Sequence, residues 1–210
     1  MKYNCTFSEG NWNTDDFLTV ISPRWQSVHS QWEQHREYIS NRLAPDWTPA
    51  DRSREGEAYI SMLHKTAVNG DARIETSCLF EERMAPVITL AKKLTPVHEE
   101  HLEIVVFDEG INLWHHKFDN GKPSWKLIAY QELQLQAHKK HHLVTEIRFA
   151  GQGNFICMGV DDVSFGCLLP ENWPQIYYAG ITACEGRNRF YDFSISEIPD
   201  NRNRNKRFNN

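Results

Sequence analysis

The chain has 210 residues and a formal net charge of −5, a size that suits one sandwich or barrel with a sizeable core and a charge that argues against general nucleic-acid binding. Hydrophobic residues make up 40% of it, yet the longest apolar runs are far too short to cross a bilayer, so no membrane partner is expected. The seven Trp and seven Tyr are many for this length; most belong in a core, and an excess of Trp also suits contact with carbohydrate.

Residues 3–20 read as a short strand, a turn at Glu9-Gly10-Asn11 and a second extended piece. Residues 22–39 are ambiguous. Ser22-Pro23 is a good helix start and Trp25, Val28 and Trp32 fall at helical spacing, whereas Glu37–Asn41 reads equally well as a strand. Residues 43–56, with two prolines and many charges, form a long loop, and Trp47 in it is either a plug onto the core or a contact residue.

From 57 onward strand patterns follow at short intervals: 57–68, 72–80, 85–94, 101–107, 111–118, 124–136, 141–149, 154–160, 163–169, 175–184 and 189–198. Asn69-Gly70-Asp71, Asp119-Asn120-Gly121 and Ala150–Gly153 lie among the turns between them. The polar, basic segment 199–210 is expected to be a disordered tail. No repeat and no β-α-β alternation is visible. The result is an all-β, antiparallel sandwich or barrel with little helix, a single domain over 1–198.

The clearest hairpin is HLEIVVF-DEG-INLWHHKF, residues 101–118. Alternation puts Leu102, Ile104, Val106, Ile111 and Leu113 on a core face. Glu103, Val105, Phe107, Asn112, Trp114 and His116 fall on a mixed face of aromatic and polar groups. With Glu109-Gly110 as the turn, Gly110 supplies a positive φ and Glu103 faces His116. The mixed face fits a half-wet sheet and also a groove for sugar, which offers C–H faces to aromatics and hydroxyls to polar groups.

The five cysteines are odd in number and lack C-x-x-C spacing, so buried reduced thiols are expected rather than disulfides or a zinc knuckle. The N-terminal MKYNCTFSEGNW has no apolar h-region, which together with the cysteines favours the cytoplasm; a chain already freed of a leader would look the same.

The segments RIETSCLF, APVITLA, HLEIVVFDEGINLWHH, LVTEIRF…NFICMGVDDVSF and YYAGITAC…RFYDFSI, about 60% of the chain, follow one another in an order that resembles the concanavalin A-like lectin/glucanase superfamily. The laminin-G-like and glycosidase-associated members are the most similar. The resemblance implies a two-sheet jelly-roll sandwich and an oligo- or polysaccharide ligand. It spans binding modules, glycoside hydrolases and lyases, and fold alone does not choose among them. The E-x-D-x-x-E strand of the hydrolases is absent, as are the lyases' strand motifs. Calcium is common in lectins of this fold, and Asp161-Asp162 or Asp108-Glu109 could offer oxygen ligands, although both pairs are more simply turn residues. No other cofactor is expected.

Glu103 and His116 are therefore the candidate acid/base pair, with Trp114 as a stacking platform and Asn112 beside it. Arg73, Glu75 and Tyr178 are further candidates for the same groove. No metal ligands are assigned: His138, His141 and His142 read as solvated loop histidines, since adjacent residues of a strand point to opposite faces. Three functions stay open. A saccharide-binding protein predicts an open groove over Trp114. A hydrolase or lyase predicts a carboxylate of raised pKa in that groove. A regulatory or protein-interaction sandwich predicts that segment 22–56 covers it.

Overall fold

The computed structural model describes residues 2–23, 31–48, 58–82, 84–119, 122–150 and 153–198. They form two antiparallel sheets and one turn of 3-10 helix, Thr14–Asp16. In the first sheet the strands β14 (Val163–Leu168), β13 (Gly153–Val160), β12 (His141–Ala150) and β7 (Ala72–Phe80) lie side by side. The far edge of β7 is shared. One half pairs with β16 (Asn188–Phe190), followed by β4 (Ile39–Asn41) and β3 (Trp32–Gln34); the other pairs with β17 (Asp192–Glu197), followed by β1 (Lys2–Thr6).

The second sheet runs β11 (Lys122–Glu132), β10 (Gly110–Asp119), β9 (His101–Phe107), β8 (Met84–Ala91), β15 (Ile176–Ala183), β5 (Ile60–His64) and β2 (Phe17–Val20). The short β6 (Val68–Asn69) also pairs with β15. The architecture is the expected jelly-roll sandwich, and the strand-rich Val, Ile and Phe composition of these segments accounts for it.

Alternating residues of both sheets meet in one core. Ile74, Leu143, Ile147, Ile156 and Met158 come from the first sheet. Ile88, Leu90, Leu102, Ile104, Val106, Ile111, Leu113 and Ile181 come from the second, and all are buried. The core face expected of the hairpin is thus present.

Its register differs. The loop is Asp108-Glu109, and Glu103 faces Trp114 while His116 faces His101. The shift is by two residues, an even number, so the faces survive and only the partners change. Gly110 also has another reason to be there. Its φ of +159° is nearly extended, but a Cβ would overlap the Gln131 carbonyl oxygen of β11.

The ambiguous segment resolves as a hairpin where it is described, β3 and β4, because Ile39 and Asn41 bury themselves beside β16; residues 24–30 lie outside the described residues. So do 49–57 of the long loop and the tail from 199. The strand expected over 189–198 breaks at Tyr191, where the two pieces pair with different halves of β7. None of the five cysteines is in a disulfide; Cys5 and Cys78 are buried and the others half-buried.

Candidate functional site

The outer face of the second sheet carries two cross-strand rows through the hairpin. One runs Tyr178, Ala91, His101, His116, Trp125; the other Gly180, Thr89, Glu103, Trp114, Leu127. Asn112 and Tyr130 pair in the next such row, beside Val105. Five of the predicted residues, Glu103, His116, Trp114, Asn112 and Tyr178, therefore share one face.

Arg73 and Glu75 do not join them. They alternate with the buried Ile74 and Thr76 and so point away from the core on the first sheet, the other side of the sandwich. There Arg73 pairs with Glu75 at 2.9 Å and Glu146 at 2.8 Å, and His142 reaches Glu75 at 3.2 Å. These are surface ion pairs.

Glu103 is only 6% exposed, and a buried carboxylate is costly unless it is well partnered. Tyr59, just before β5, donates its hydroxyl to Oε1 at 2.6 Å, and His101 Nε2 lies 3.3 Å from the same oxygen. His116 Nε2 is 3.1 Å from Oε2. His98 stacks on His101 with ring centroids 4.0 Å apart, and His101 stacks on His116 at 4.8 Å.

The connection from β8 to β9 brings His98 in. Backbone bonds from Ile21 N to Pro96 O and from His98 N to Ile21 O tie it to the end of β2. His98 Nε2 then meets Ser61 Oγ at 2.8 Å. Ser61, Thr182 and Thr89 continue as a hydroxyl chain with 2.5 Å spacings.

Electrostatics follow from this packing. Burial would push the Glu103 carboxyl up, but the imidazoles of His116 and His101 outweigh it and hold the group well below the usual carboxylate range. Burial pushes His98 well down, with His101 adding to the effect, and lowers His101 against the pull of Glu103. Burial and the Glu103 charge push the Tyr59 hydroxyl well up, so it remains a donor. The carboxylate is thus held ionised, the opposite of what a general acid needs.

Beside this polar cluster the edge strand β11 leaves its aromatics in solvent: Trp125 and Tyr130 are each 47% exposed, with Leu127 at 43% between them. Trp114 is half-buried against the core. Together they make an apolar strip flanking Glu103 and His116.

The sequence reading missed Tyr59, His98 and His101. The signal for His101 was present, since His101-x-Glu103 on a strand puts both side chains on one face. The histidines it weighed instead do not converge. His138 is exposed at a turn with φ 62°, and His142 is exposed on the first sheet. His141, expected in solvent, is buried at 2% between Asp161 and the Gln136 carbonyl, because β12 starts at this residue. Asp161 spends both oxygens on His141 and the His142 N–H. Among the described residues, His101, Glu103 and His116 do bring metal-ligating atoms within 4.8 Å of one another.

No known family model and no curated protein matches the sequence. Solved structures do match the fold. A family 66 carbohydrate-binding module from Bacillus subtilis aligns over 85% of this chain and 99% of its own, with TM-score 0.59 and 15% identity. Lectin II from Ulex europaeus aligns over 94% and 99%, at TM-score 0.60 and 6% identity. A family 16 glycoside hydrolase endo-glucanase from Bacteroides ovatus aligns over 92% and 99%, at TM-score 0.60 and 10% identity. The chain therefore has the concanavalin A-like sandwich fold that the order of its strands suggested.

Proposed function

We propose that this protein binds an oligo- or polysaccharide on the outer face of its second sheet. The observation that carries the proposal is the juxtaposition of solvent-exposed Trp125 and Tyr130, half-buried Trp114 and the polar Asn112 and His116 on one continuous face. Sugar rings stack their C–H faces on aromatic side chains, while hydroxyls need nearby donors and acceptors, and this strip offers both. The similar structures include a carbohydrate-binding module, a plant lectin and a glucanase, which supports the same ligand class.

Hydrolysis is the weaker alternative. It needs two carboxyl groups flanking the scissile bond, one of them with a raised pKa. Glu103 instead contacts Tyr59 and two imidazoles and has a lowered pKa.

A glycan array probed with the wild type and Trp125→Ala, with circular dichroism as the folding control, tests the proposal. Saccharide binding by the wild type that the folded variant loses supports it. A wild type that binds no glycan overturns it and leaves protein interaction as the use of this face.

A further inference from the structure

We infer that His101, Glu103 and His116 form a binding site for a divalent transition-metal ion of the zinc type. Two imidazoles and a carboxylate are a donor set such ions favour, and three protein ligands with one position left open is a common arrangement for zinc. The donors come from adjacent strands. His101 and Glu103 lie two apart on β9, and His116 faces His101 from β10, so the hairpin register itself assembles the trio.

The spacing fits. At ordinary zinc–nitrogen and zinc–oxygen distances, the edge of a tetrahedron is about 3.3 Å. His101 Nε2 lies 3.3 Å and His116 Nε2 3.1 Å from carboxylate oxygens of Glu103, and the ligand atoms of all three residues fall within 4.8 Å of one another.

Orientation gives an independent sign. His116 Nε2 is buried and 3.1 Å from Glu103 Oε2, an ion-pair contact in which the nitrogen does not meet hydrogen-bond geometry. A nitrogen held that close to a carboxylate without bonding to it is placed to share a third partner with it.

The surroundings complete the case. Metal-bound groups are usually fixed by partners of their own. Of the three, Glu103 has such a partner, since Tyr59 donates to its Oε1 at 2.6 Å, while the His101 ring is packed under His98. His116 has 23% of its side chain exposed, against 3% for His101 and 7% for Glu103, so an ion would enter past His116 from the side of Trp125.

The test uses the full, tag-free chain stripped with chelator and titrated with Zn²⁺, with metal content measured after dialysis and the thermal midpoint followed by circular dichroism. The expected result is about one zinc per chain and a midpoint raised by zinc. His116→Ala, at the more exposed ligand, should abolish both effects. His142→Ala, on the opposite side of the sandwich, should behave as wild type. Tyr59→Phe, which leaves all three ligands in place, should weaken binding roughly tenfold or more. Co²⁺ gives a second readout: a visible spectrum of tetrahedral type in the wild type, lost in His116→Ala. Zinc well below one per chain in the wild type, or equal uptake by wild type and His116→Ala, would overturn the inference. None of these readouts depends on saccharide binding, so a failure here and a failure of the proposed function are separate results.

Discussion

Glu103 is the residue on which the candidate site turns. Its carboxylate is buried, ionised and held by Tyr59, His101 and His116. Removing one member of a buried charged group strands the others, which typically costs about 3–5 kcal/mol. Glu103→Ala should therefore lower unfolding stability by that order in a urea titration, far beyond Glu146→Ala on the open face. Acid should act in the same direction. His98 is lowered by burial from its ordinary 6.5, so below that pH the unfolded chain binds a proton that the folded chain refuses, and stability falls. Glu103 is depressed from 4.5, so its contribution is full above that value and is lost as pH drops through the folded-state value. With chelator present, the urea midpoint should be lower at pH 5.5 than at pH 7.5; a midpoint that rises on acidification would contradict this account of the buried histidines. At this scale the sequence was partly legible. Alternation gave Glu103, Trp114 and His116 their shared face, but Tyr59 and His98 arrive from distant parts of the chain through tertiary contacts that no local pattern encodes.

The β9–β10 hairpin shows which features of an element are robust. Its faces follow from period-2 alternation and hold for any even shift, whereas its partners depend on which two residues turn. Placing the turn one residue too late put His116 opposite Glu103 instead of His101, and so obscured the row Tyr178, Ala91, His101, His116, Trp125. The segment 22–39 failed for another reason: helical spacing of Trp25, Val28 and Trp32 competed with a strand pattern, and pairing with β16 decided for the strand at Ile39–Asn41. Two substitutions probe the hairpin. Leu113→Ala should cost about 2–5 kcal/mol, as other buried leucines do, without moving any group on the outer face. Gly110→Ala should destabilise through the approach of Gln131 on β11, and hydrogen exchange should show the loss in β10 and β11 before β7 and β12.

In the whole molecule the two sheets present different outer faces. The first carries paired charges, Arg73, Glu75, Glu146 and His142; the second carries the aromatic strip and the buried Glu103 cluster. Both faces alternate correctly in the sequence, but which strands share a sheet is a matter of topology, and that is why Arg73 and Glu75 looked like neighbours of Trp114 when they are not. The division confines the proposed saccharide site to one face. Isothermal titration calorimetry with the strongest glycan from the array, on Trp125→Ala and on Arg73→Ala, measures it directly. The expected result is saccharide binding lost in Trp125→Ala and unchanged in Arg73→Ala; binding retained by the first and lost by the second would place the site on the other sheet and contradict the account.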